Sequence, residues 1–106
     1  MTIFRAIGEK ESSNNPKAFN EKEGAIGIVQ IRKIALQDAN RILGKETYKE
    51  ADCWDIAKSY EIFKTLQDHY NPSWDYETAA KLWNGGPKWA KKEGVKKYWL
   101  DVLNIL

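Results

Sequence analysis

Apolar residues return at every third or fourth position along most of this chain, the period of helices that bury one face. Ile3 to Glu11 reads as a first helix with Ile3, Phe4 and Ile7 inward. The run Ser12-Ser13-Asn14-Asn15-Pro16 ends it, because these residues favour turns and Pro16 disfavours helix at Asn15. Lys17 to Gly27 reads as a loop with room for a small β element. Ile28 to Leu43 forms a second helix, with Ile31, Ile34, Ala35, Ala39, Ile42 and Leu43 on one face, and Gly44 stops it. A third helix spans Trp54 to Tyr70, capped by Asp52 or Asp55, with Ile56, Tyr60, Phe63 and Leu66 or Gln67 at helical steps. Asn71-Pro72 closes it. Asp75 caps a fourth helix through Trp83, packed by Ala79, Ala80 and Leu82, and Gly85-Gly86-Pro87 breaks the chain. A last helix runs from about Lys88 or Gly94 to Leu106, with Val95, Trp99, Val102, Leu103 and Leu106 inward. The pattern predicts an all-α fold with at most a minor β element. Without repeat, low-complexity tract or linker, residues 1–106 form a single domain.

Composition narrows the classes. Five Trp, five Tyr and three Phe give a short chain enough large rings for a core, or for stacking on sugar faces. The net charge of +2 is too small to imply nucleic acid, and no nucleic-acid partner is expected. Six lysines and one acid between Lys81 and Lys97 read as a solvated helix face, or as a basic rim for an anionic polymer. Cys53 is the only cysteine, which excludes an intramolecular disulfide, and His69 is the only histidine. Cys53 reads as a small residue near a helix start and His69 as the polar end of a helix. No stretch approaches the roughly 20 apolar residues of a membrane span. Met1 to Gly8 lacks the pattern of a signal peptide. The expectation is a protein that stays cytoplasmic until released, or travels in a virion.

Three short patterns carry chemistry. Glu11-Ser12 ends the first helix, where a carboxyl group can be pushed into a cleft floor. Burial against apolar groups raises a carboxyl pKa and keeps the proton available for a glycosidic oxygen. Taken alone, Glu11 also fits an ordinary surface acid. Gly24-Ala25-Ile26-Gly27-Ile28-Val29-Gln30 comes next. Gly24 and Gly27 permit positive φ and close approach, and Gly27 stands where a helix N-terminus would expose free N–H groups. Gln30, one turn in, both donates and accepts, which suits an N-acetyl sugar. Trp83-Asn84-Gly85-Gly86-Pro87 is a turn first, and in a functional reading a backbone shelf beside the cleft.

In this order the patterns resemble the soluble lytic transglycosylase (SLT) and goose-type lysozyme-like family, in a small, single-domain, phage-type form. That family has a helix ending in Glu-Ser, a Gly-x-x-Gly-Leu-Met-Gln-like stretch, an aromatic-Asn-Ala-Gly-Pro-like turn and a Tyr near a C-terminal helix. Glu11-Ser12, Gly24 to Gln30, Trp83 to Pro87 and Tyr98 match it, over roughly residues 3 to 106. The chain departs from it with Ile28-Val29 for Leu-Met, Trp83 for the commoner Tyr and Gly85 for the commoner Ala.

The resemblance implies a lysozyme-like domain acting as a peptidoglycan lytic transglycosylase. Glu11 is the implied catalytic residue. Ser12, Gly27, Gln30, Trp83, Asn84, Gly85 and Tyr98 are the implied substrate-binding positions. A single carboxyl needs no metal and no cofactor. The expected partner is the peptidoglycan glycan strand, met by a monomer without membrane insertion. Two alternatives stay open: a hydrolytic lysozyme of the same fold, and a non-catalytic wall-binding or virion module. Hydrolysis calls for a second acid about 5 to 9.5 Å away. Glu21 and Glu23 are the candidates for it, and Glu9 is a weaker alternative to Glu11 itself.

Overall fold

A computed structural model describes residues 2–106. Met1, the first residue of the expected domain and of the Met1–Gly8 stretch that lacks a signal-peptide pattern, lies outside the described residues. Among the described residues five helices, α1 (Thr2–Ser12), α2 (Lys33–Leu43), α3 (Ile56–Tyr70), α4 (Tyr76–Gly85) and α5 (Val95–Ile105), surround one core. Short 3₁₀ turns at Glu50–Trp54 and Trp89–Lys91 join them. A two-residue hairpin, β1 (Phe19–Asn20) and β2 (Ala25–Ile26), pairs antiparallel with Phe19 opposite Ile26 and Asn20 opposite Ala25. The all-α fold class with a minor β element is what the apolar spacing predicts. No helix among the described residues is long and apolar enough to cross a membrane.

The core is built around α1. Ile3, Phe4 and Ile7 are fully enclosed, and the Phe4 ring meets Tyr60 at 5.2 Å and Phe63 at 5.3 Å, edge to face in both cases. Such pairs add about 0.5–1.5 kcal/mol each beyond burial. α1 packs against α4 and α5, and α2 against α3. A buried amide network ties α3 to α4. Gln67 Nε2 donates to the Ala79 carbonyl at 3.3 Å, and Asn71 Nδ2 donates to Gln67 Oε1 and the Asp75 carbonyl, both at 3.0 Å.

The helix ends follow local chemistry. Asp55 accepts from the Lys58 N–H at 2.8 Å and caps α3, while Asp52 instead caps the preceding 3₁₀ turn through the Lys49 N–H. Asp75 caps α4 through the Thr78 N–H at 2.9 Å. Gly44 ends α2 in the left-handed conformation.

Three expectations are corrected. α2 begins at Lys33, not Ile28, because Ile31 bridges to Ile26 with bonds of 3.0 and 2.8 Å in both directions. That late start rotates the helix, so Ile34 is 74% exposed and Leu43 also faces out, while Ala39 is buried and Ala35, Leu36 and Ile42 pack partly inward. In α5 the buried stripe is Val95, Tyr98 and Val102, with Trp99 half-buried. Leu103 and Leu106, expected inward, are exposed: Leu103 sits a helical step round from the buried Val102, and Leu106 follows the end of α5. α3 begins at Ile56, not Trp54, which ends the preceding 3₁₀ turn, and Ile56 is exposed because α3 enters the core only from Ser59 onward.

Candidate active site

Glu11 sits in the last turn of α1 and lines an open cleft of about 570 Å³. One wall is α2, with Ile34, Gln37, Asp38 and Arg41. The other is the end of α4 and the turn that follows, with Trp83, Asn84, Gly85, Gly86, Pro87 and Lys88. Gln30 and Arg32 line the same cleft beside Glu11.

The Glu11 carboxyl is held from behind. Tyr98, buried in the first turn of α5, donates its hydroxyl to Glu11 Oε2 at 2.7 Å. Burial, with the Glu11 charge next to it, pushes the Tyr98 phenol far above its ordinary value, so it remains a donor at every relevant pH. Burial also raises the Glu11 carboxyl above its ordinary 4.5. The Tyr98 hydrogen bond and the Arg32 and Lys10 charges oppose that rise, and the Glu23 charge adds to it. Desolvation wins, which favours the protonated form of the group that faces the cleft.

The remaining sequence-predicted residues divide between lining the cleft and building it. Ser12 donates to the Ile28 carbonyl at 2.7 Å, so its hydroxyl fastens the end of α1 to the following turn. The Gly27 N–H donates to the Ala18 carbonyl at 2.8 Å and precedes a turn, not a helix N-terminus. A Cβ at Gly27, at φ +84, would stand 2.0 Å from the Cys53 carbonyl oxygen. Gln30 is not one turn into a helix but sits in the turn at φ +58. Its Nε2 donates to the Gly27 carbonyl at 2.9 Å and the Ala18 carbonyl at 3.2 Å, and the side chain borders the cleft. Trp83 donates Nε1–H to the Val29 carbonyl at 2.9 Å and packs its ring 5.0 Å from Phe63, while also forming cleft wall. Asn84 is a half-buried part of the same wall. Gly85 is buried where a Cβ would press on Val95 at 2.8 Å and Trp89 at 2.9 Å, which accounts for glycine in place of alanine.

The two candidate second acids part company. Glu21 is exposed and lines no part of the cleft. Glu23 binds Arg32, with Oε1 at 2.5 Å from Nη2. Glu9 is exposed and accepts from Asn14 Nδ2 at 3.1 Å. Cys53 is buried, its thiol pushed up to about 11 mainly by burial, which leaves it inert as a nucleophile at neutral pH. His69 lies exposed in the last turn of α3, with its ring edge-on to Tyr70.

Two cleft features have little or no signal in the sequence. Arg32 follows Ile31 and precedes Lys33, where a cation reads as a solvated helix start. The second is a cluster farther along the groove, in which Tyr70 donates to Asp38 at 2.7 Å and accepts from Arg41 at 3.0 Å. Only the Asp38–Arg41 spacing of three residues hints at it.

Among known families, the Transglycosylase SLT domain matches residues 1–105. No curated protein and no solved structure matches the chain. The SLT domain is lysozyme-like and mostly helical, and its chemistry is lytic-transglycosylase-type cleavage of peptidoglycan. With all but the last residue inside that match and the architecture in agreement, the chain belongs to the Transglycosylase SLT domain family.

Proposed function

We propose that the protein cleaves the β-1,4 bond between N-acetylmuramic acid and N-acetylglucosamine, with Glu11 as its only acid and base. The observation that carries this reading is the Glu11–Tyr98 pair at the cleft, a carboxyl whose burial favours its protonated form and which a buried phenol orients. Protonated Glu11 gives its proton to the glycosidic oxygen as the C1–O bond breaks. Positive charge develops on the muramic ring, and the new Glu11 carboxylate faces it. Glu11 then takes the proton of that sugar's own 6-hydroxyl as O6 bonds to C1. The product is a 1,6-anhydromuramic end, and Glu11 is protonated again for the next cycle.

Gln30, Trp83 and Asn84 supply amide groups and an aromatic wall along which an N-acetylated glycan can lie. Ser12, Gly27 and Gly85 shape that wall through the contacts described above. This reading takes a monomer as the acting form. Release at lysis or carriage in a phage virion is the route to the wall that this reading takes.

One observation favours a second reading. The Glu23 charge bears on Glu11 and pushes its carboxyl upward, which makes Glu23 the acid that a hydrolytic route would call on. That arrangement would give a hydrolytic lysozyme. Product mass separates the two, since hydrolysis adds one water to each cut and the anhydro route adds none. Mass spectrometry of soluble products from purified peptidoglycan is expected to find anhydro ends. Reducing ends throughout would replace this reading with the hydrolytic one.

A further inference from the structure

The cleft carries cations that the cleavage step does not use. Arg41 lines it on the α2 wall, and Lys88 and Lys92 line it from the chain that follows α4. Arg41 is clamped in place. Its Nε donates to Asp38 Oδ1 at 2.9 Å, and its Nη2 lies 2.8 Å from the same oxygen. Nη2 also donates to the Tyr70 hydroxyl at 3.0 Å, and that hydroxyl donates to Asp38 Oδ2 at 2.7 Å. Both Asp38 oxygens are thus engaged within the cluster. Arg41 Nη1 makes no hydrogen bond among the described residues. The Arg41 side chain is 63% exposed against 20% for Asp38, so the guanidinium is the open member of the pair.

The charges along the groove do not cancel. Among the described residues the acids lining it are Glu11 and Asp38. Asp38 offsets Arg41, and Glu23 offsets Arg32 from outside the cleft. Lys88 and Lys92 are exposed and form no ion pair among the described residues. The groove therefore keeps a net positive charge, and a neutral N-acetylated glycan offers that charge no partner.

We propose that this stretch of the cleft is a subsite for the acidic peptide carried by muramic sugars, with Arg41 receiving a carboxylate through Nη1 and Lys88 and Lys92 drawing the peptide in. This inference rests on the cleavage reading above and names the part of the substrate that the groove selects. The peptide hangs from the lactyl group on O3 of the muramic ring, the sugar on which Glu11 acts, so its carboxylates enter the cleft with that sugar. Arg32 lines the cleft beside Glu11, and Arg41 follows it by nine residues, about 13 Å along a helix. An extended peptide of about four residues covers the same distance. A guanidinium already held by Asp38 and Tyr70 loses little freedom on binding, and its planar fork fits a carboxylate.

The test compares kcat/KM on three substrates prepared from one peptidoglycan freed of phosphate polymers: intact strands, strands stripped of peptide by an amidase, and intact strands whose carboxyl groups are converted to amides. Wild type is expected to favour the intact strands over both others. Arg41→Gln is expected to lower the ratio of intact to stripped about tenfold, mainly through KM, the size of one lost hydrogen bond to a charged group. Lys88→Gln/Lys92→Gln is expected to lower the same ratio, with the difference from wild type shrinking as salt is added. All these positions are exposed, so both variants should keep the wild-type melting transition. Equal kcat/KM on intact and stripped strands in wild type would overturn this inference alone. So would a loss in Arg41→Gln shared equally by the two, which would place Arg41 on the glycan itself. A preference that survives conversion to amides would overturn the assignment of a carboxylate to Arg41. No cleavage of any of the three by wild type would overturn the cleavage reading and this inference with it.

Discussion

Replacing Gly27 with alanine tests whether the cleft frame depends on one backbone contact. Two costs add. At φ +84 an L-residue is strained, by about 1–2 kcal/mol. The new Cβ would lie 2.0 Å from the Cys53 carbonyl oxygen, which belongs to backbone and cannot swing aside. Relieving such a clash costs about 1–3 kcal/mol. The sum is about 2–5 kcal/mol, against a total stability of about 5–15 kcal/mol for a domain of this size. With an unfolding entropy of about 2.1 cal/mol/K per residue, each kcal/mol lowers the melting temperature by about 4–5 °C. Gly27→Ala should melt about 10–20 °C below wild type in a calorimetric scan. Gly44→Ala is the control, because Gly44 has φ +76 but nothing within 4 Å of an added Cβ. It should lose only the strain, about 5–10 °C. Equal losses in the two variants would refute the claim that the close approach of Gly27 to the Cys53 carbonyl excludes a side chain there.

Other outcomes follow from the same contacts. Glu11→Gln should be more stable than wild type at neutral pH. The raised pKa means the folded state binds more protons than the unfolded chain above about pH 4.5, so wild-type stability falls as pH rises through that window. The gain should vanish in melts below about pH 4.5, and a gain confined to acid pH would contradict the burial argument. Tyr98→Phe removes a hydrogen bond that favours the carboxylate, so the alkaline limb of the pH–rate profile should move to higher pH; a downward move would refute the role given to Tyr98. Ser12→Ala should cost about 1–2 kcal/mol in urea unfolding, because it leaves the Ile28 carbonyl without its 2.7 Å partner. A neutral result would show that the hydroxyl is not a fastener.

The fold was legible where local chemistry decides the outcome. Asp55, Asp75, Gly44 and Asn71-Pro72 mark helix ends through caps and breaks that need no tertiary partner. The start of α2 was not legible. Ile28-Val29-Gln30-Ile31 is an apolar run that serves helix or bridge equally, and pairing with Ile26 decides for the bridge. The phase of α5 was hidden in the same way, since Val95, Trp99, Val102, Leu103 and Leu106 fit a helical stripe whether or not the core extends to the last turn. At the site, Glu11 was found through its position after an apolar-faced helix and through the order of three motifs. Its bond to Tyr98 spans 87 residues, and no local pattern encodes it. The Arg32–Glu23 pair was invisible for a related reason: single charges beside turns look solvated until the Ile26–Ile31 bridge folds them together.

The central claim is that one buried-edge carboxyl does the chemistry. The most direct test is release of soluble muropeptides from purified peptidoglycan by wild type and by Glu11→Gln, each checked for folding by its melting transition. The account predicts anhydro-ended products from wild type and none from a folded Glu11→Gln. Release by folded Glu11→Gln at a rate comparable to wild type would contradict it.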